Sequence, residues 1–127
     1  MKLRIKGNSL RLRVTPSEIN QLLHDGVIRE YLQLTADPKD RLIYSITSSL
    51  SEATTTVAYH SGNIAVSVPG SQLTRWAASE EVGIYAELTL GDDQALSVTI
   101  EKDFACLDRS DADNEDTFPN PNLVTAC

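Results

Sequence analysis

This chain of 127 residues is short of almost everything that marks an enzyme, a secreted scaffold or a membrane span. It holds two cysteines, Cys106 and Cys127, near and at the C-terminus, where a disulfide would tie down only the tail. A secreted scaffold of this size uses cysteine differently. With His24 and His60 these are the only soft metal ligands, and no C-x-x-C or H-x-x-x-H spacing joins them, so neither a metal nor a cofactor is expected. No apolar segment of the signal-peptide kind follows Met1 and no apolar run approaches about 18 residues, so no membrane partner is expected and the expected compartment is a reducing cytoplasm. Nothing has the spacing of a Walker A loop, a nucleophile elbow or a dinucleotide fingerprint. No catalytic residue is assigned, and the chain is not expected to be an enzyme.

What the chain does have is a patterned distribution of charge. Hydrophobic residues make up 41% and charged residues 23% of it. Those shares are near the globular averages of about 45–50% and about 25%, so one folded domain is expected. The net charge of −7 is uneven: Asp108 to Asp116 carries five acids against Arg109 alone, whereas Lys2 to Val14 carries five cations and no acid. In that basic stretch Lys2, Arg4, Lys6, Arg11 and Arg13 alternate with Leu3, Ile5, Leu10, Leu12 and Val14. Successive side chains of a strand point to opposite faces, and Gly7-Asn8-Ser9 supplies a tight turn, so the stretch predicts a hairpin with one oily and one cationic face.

Thr15-Pro16-Ser17-Glu18 then reads as a capping box opening a helix whose buried stripe is Ile19, Leu22 and Leu23, with Gly26 as its stop. A strand is expected from Val27 to Leu34, a break around Pro38, and a returning strand carrying Leu42, Tyr44 and Ile46, followed by a polar connector from Thr47 to Ala53. Sliding the chain against itself by 54 residues reproduces this order. Leu10, Leu12 and Val14 fall on Ile64, Val66 and Val68; Ile19, Leu22 and Leu23 fall on Leu73, Trp76 and Ala77; Leu42, Tyr44 and Ile46 fall on Leu96, Val98 and Ile100. Between helix and last strand the offset drifts to 56, setting Leu32 and Leu34 against Leu88 and Leu90. Each half alone is too small to close a good core.

These features predict an α+β fold, a mainly antiparallel barrel or closed sandwich of two fused ββαββ repeats with about eight strands and two short helices. The expected organisation is one pseudo-twofold domain over residues 1–107, with repeats at 1–50 and 54–104, and an acidic, disordered tail over 108–127. Trp76 reads as a core residue of the second helix.

Gly7-Asn8-Ser9-Leu10-Arg11-Leu12-Arg13-Val14-Thr15-Pro16, with Val68-Pro69 at the matching junction, resembles the swapped-hairpin domain of transition-state regulators and antitoxins, the SpoVT–AbrB type. That resemblance covers residues 2–101 and implies two fused subunits, with hairpin cations meeting DNA. Residues matching Lys2, Arg4, Lys6, Arg11 and Arg13 in the second half are Thr56, Ala58, His60, Ala65 and Ser67, so only one hairpin carries fixed positive charge. The whole chain also resembles a family of uncharacterised small bacterial proteins through Met1-Lys2-Leu3-Arg4-Ile5-Lys6-Gly7-Asn8-Ser9, Glu101-Lys102-Asp103-Phe104-Ala105-Cys106-Leu107 and Phe118-Pro119-Asn120-Pro121. That second likeness implies no activity.

Three readings of the basic face stand side by side. It is a solvated edge that discourages sheet extension, a nucleic-acid contact made by Lys2, Arg4, Lys6, Arg11 and Arg13, or a contact for an acidic protein segment, the chain's own tail included. The specific expectation is a nucleic-acid-binding regulator or antitoxin-like module. The alternative is a protein-interaction or assembly domain. Half a footprint predicts weak phosphate binding unless the protein pairs with a second copy of itself, so a homodimer is the other partner to expect.

Overall fold

The structure, a computed structural model, describes residues 1–105 and 116–119. In chain order it forms β1 (Lys2–Lys6), β2 (Ser9–Val14), α1 (Pro16–Asp25), β3 (Val27–Gln33), β4 (Arg41–Ser49), β5 (Thr56–His60), β6 (Asn63–Pro69), α2 (Gly70–Ala78), β7 (Gly83–Gly91) and β8 (Gln94–Lys102). This is an α+β fold of eight strands in two four-stranded sheets and two helices, as the pattern predicts. The chain divides into two compact units, Met1–Ile19 with Glu81–Cys127, and Asn20–Glu80.

In the first unit the strand order is β1-β2-β8-β7. Two antiparallel hairpins meet along a parallel seam, β2 against β8. Alternation sends Leu10, Leu12, Val14, Ile84, Val98 and Ile100 into burial, joined by Ile19. In the second unit the order is β3-β4-β6-β5, again with two hairpins joined by a parallel seam, β4 against β6. There Ile28, Ile46, Val66 and Val68 are buried with Leu22, Leu73 and Trp76 from the helices.

The expected barrel closure does not occur. Each sheet ends in strands hydrogen-bonded on one side only, β1 and β7 in the first and β3 and β5 in the second, so neither ladder returns on itself. Leu23 is likewise corrected. It is 43% exposed, because it stands one residue, about 100° of helix, away from the Ile19–Leu22 stripe. β4 also runs on to Ser49, into the stretch whose composition reads as a connector, since its seam with β6 continues to Ser49↔Pro69.

Registers in the two sheets correspond at the offsets read from sequence. Lys2↔Arg13 and Thr56↔Ser67 are the same pair 54 residues apart, as are Leu12↔Ile100 and Ile46↔Val66 with the strands exchanged. Val27↔Thr47 and Gly83↔Glu101 correspond at 56 on the first strand and 54 on the second. The helix entries differ. In α1 the Thr15 hydroxyl accepts from the Glu18 amide at 3.3 Å and Glu18 Oε1 accepts from the Thr15 amide at 2.9 Å, the reciprocal box, and the Met1 ammonium ion-pairs with Glu18. In α2 the N-cap is Pro69, with no side-chain cap.

Candidate nucleic-acid interface

The cationic face begins with a turn. Lys6 pairs with Ser9, so the β1–β2 loop is Gly7-Asn8, with positive φ at Gly7 alone (+56°). The β5–β6 turn instead places both Ser61 and Gly62 at positive φ. A positive φ at the first central residue only is the II′ pattern, and both residues positive is I′; both suit the right-handed twist of a hairpin. Asn8 locks the first turn onto the neighbouring hairpin, its Nδ2 donating to the Ala95 carbonyl at 2.7 Å and its carbonyl accepting from the Ser97 amide at 3.2 Å.

That register stacks the cations. Lys2 faces Arg13 and Arg4 faces Arg11 across the ladder, with Lys6 on the same face opposite Ser9. Like charges directly opposite repel, and acids on β8 and just beyond it offset part of the repulsion. Arg13 stands beside Glu101 in the parallel seam and donates from Nε to its Oε1 at 2.7 Å; Arg11 Nε approaches the same oxygen at 3.7 Å. Lys2 Nζ donates to Asp103 Oδ2 at 3.2 Å. Among the described residues Arg4 and Lys6 form no ion pair. With Ser9 and Arg11 they line an open cleft of about 130 Å³.

All five predicted cations therefore share one face, and the sheet adds residues that sequence reasoning did not reach. The row Arg4–Arg11 continues to Thr99 on β8 and Tyr85 on β7; the row Lys2–Arg13 continues to Glu101 and Gly83; the row Lys6–Ser9 continues to Ser97 and Glu87. Period-2 alternation alone places Tyr85 and Glu101 on the polar side of their own strands. Only the β2–β8 seam shows that this side is the cationic one. In the second sheet the matching positions Thr56, Ala58, His60, Asn63, Ala65 and Ser67 bring no lysine or arginine from β5 or β6.

Of the stretch 108–127, Asp116–Pro119 are described; the rest of the tail expectation, with Cys106, lies outside the described residues. The Asp116 carboxylate accepts from the Ser17 hydroxyl at 2.6 Å and the Ser17 amide at 3.3 Å, at the start of α1. These contacts, the Ser17 hydroxyl first, hold its pKa below the ordinary 3.8. Phe118 bridges to Phe104, donates from its amide to the Asp103 carbonyl at 2.7 Å, and sets its ring edge-on to Phe104, with Lys102 Nζ 5.4 Å from its centroid.

A family model described as a family of unknown function, DUF7009, matches residues 1–122. The chain belongs to DUF7009. No curated protein and no solved structure matches it. The family match runs through the cationic hairpin and both sheets and brings no site of its own, so the DUF7009 surface is read from its residues. Among the described residues no group of three or more His, Cys, Asp or Glu is placed to hold a metal, and no helix is long and apolar enough to cross a membrane. His24 is exposed and hydrogen-bonded through Nδ1 to Asp25 at 2.9 Å, and His60 ends the exposed strand β5.

Proposed function

We propose that this DUF7009 chain is a non-enzymatic, cytoplasmic binding module whose cationic sheet face engages the phosphates of nucleic acid, as a regulator or antitoxin-like protein would. The observation that carries the reading is the cleft lined by Arg4, Lys6, Ser9 and Arg11, where among the described residues Arg4 and Lys6 form no ion pair and Arg11 shares its acid with Arg13. Three closely set cations suit a phosphodiester, which offers charge and acceptors together. The reading extends to architecture, as two fused swapped-hairpin repeats of the SpoVT–AbrB kind. Its support is that exchanging β1–β4 with β5–β8 turns one strand order into the other.

Retention on heparin and on random-sequence duplex DNA at two salt concentrations tests it. About three phosphate contacts give a log–log salt slope near −2.7, so affinity falls roughly forty-fold between about 50 and about 200 mM salt. Arg4→Glu with Lys6→Glu should abolish retention. Retention that ignores salt, or survives the double reversal, overturns the reading. A second reading, a protein-contact domain whose tail and body engage each other, is favoured by the seating of Asp116 and Phe118. It predicts that deleting residues 108–127 raises heparin retention, and unchanged retention overturns it.

A further inference from the structure

The cationic face also carries an exposed aromatic ring, and its setting points to a particular class of nucleic acid. Tyr85 lies in the row Arg4–Arg11–Thr99–Tyr85 and is 66% exposed. Tyr31 and Tyr59 in the other sheet are comparably exposed, at 64% and 70%, so what sets Tyr85 apart is its place in the cationic row and its seat on β7. A Cβ built at Gly83 would stand 3.1 Å from both Cζ and Oη of Tyr85, so the phenol lies down along β7 over the bare glycine instead of standing off the sheet. The ring is thus held by the backbone on one side and open to solvent on the other.

Across the row, the order from β1 to β7 is cation, cation, hydroxyl, ring. Three inter-strand spacings separate its ends, roughly 14 Å. Of the acids along this face, Glu101 is ion-paired with Arg13 and Arg11 and Asp103 with Lys2, whereas Glu87 keeps its charge and accepts from the Ser97 hydroxyl at 2.8 Å. Phosphates held in the cleft over β1 and β2 would leave the following bases above β8 and β7. A base paired and stacked inside a duplex cannot offer its face to a ring on a sheet, whereas an unpaired base can. We infer that the ligand of this face is single-stranded nucleic acid, lying across the strands with its phosphates on Arg4, Lys6 and Arg11 and a base stacked on Tyr85. The inference rests on the phosphate-binding reading above and names its substrate class.

The test is fluorescence anisotropy of labelled oligo(dT), oligo(U) and a random-sequence duplex of equal length against the full chain, with Tyr85→Ala, Tyr85→Phe and the Arg4→Glu/Lys6→Glu double variant checked for native circular dichroism. Single strands should bind more tightly than duplex. Tyr85→Ala should weaken single-strand binding roughly 5- to 100-fold and leave duplex binding unchanged, Tyr85→Phe should retain it, and the double variant should abolish both. If duplex binds as tightly as single strands, or if Tyr85→Ala leaves oligo(dT) and oligo(U) affinity within two-fold, the stacking inference is wrong while phosphate binding stands. Loss in Tyr85→Phe as well would assign the contact to the hydroxyl and overturn stacking. Absence of binding to all three probes at low salt would remove the phosphate reading and this inference together.

Discussion

Trp76, 1% exposed, is the largest of the fully buried side chains and sits on α2 at the position that Leu22, also 1% exposed, takes on α1. Truncating either leaves a hole that well-packed neighbours cannot fill, so Leu22→Ala should cost about 2–5 kcal/mol and Trp76→Ala about 3–5 kcal/mol. Denaturant midpoints at unchanged m-value would measure both. A loss under about 0.5 kcal/mol would place the residue at the surface. These two positions were legible because each stands three places after another apolar residue of its helix, Ile19 and Leu73. Leu23 was not: on one turn of sequence it looks as apolar as Leu22, and only the direction in which α1 presents its stripe separates them. Tyr85 shows the opposite failure, since its phase on β7 is readable while the strand that lends it charge lies far away in sequence.

At the scale of elements, the strands and helices follow from alternation, the capping box and the turn glycines, and their registers keep even the two-residue drift between the halves. The edges were not readable, because alternation says which face of a strand is buried and nothing about whether an outer strand finds a second neighbour. The segment Asp116–Pro119 joins α1 through a carboxylate whose pKa is lowered by the Ser17 hydroxyl. A depressed pKa means the contact favours the ionised form: it is fully present above the ordinary carboxyl value and is lost as pH falls through the lower bound-state value. The Ser17 amide resonance should therefore titrate with a midpoint below 3.8, and Asp116→Asn should remove that titration. A midpoint at or above the ordinary value would show that the carboxylate is free in solution.

At the scale of the molecule, the charge is dipolar in sequence, and the cationic end is gathered on one sheet while the matching hairpin is neutral. The parallel seams also have a consequence in time. Ser9 pairs with Ser97 and Val14 with Lys102, so β2 cannot complete its sheet until the last strand exists, whereas Asn20–Glu80 is one continuous stretch that holds all four strands of its own sheet. Non-local pairings are slow because loop closure precedes the contacts that reward it. Pulse-labelled hydrogen exchange during refolding should accordingly protect β3, β4 and β6 before β2 and β8, and equal protection times would show that the two sheets form together. During synthesis the first hairpin leaves the ribosome with one side of its inner strand open and waits for some ninety residues of chain, so the most basic part of the protein stays half a sheet until β8 has been made.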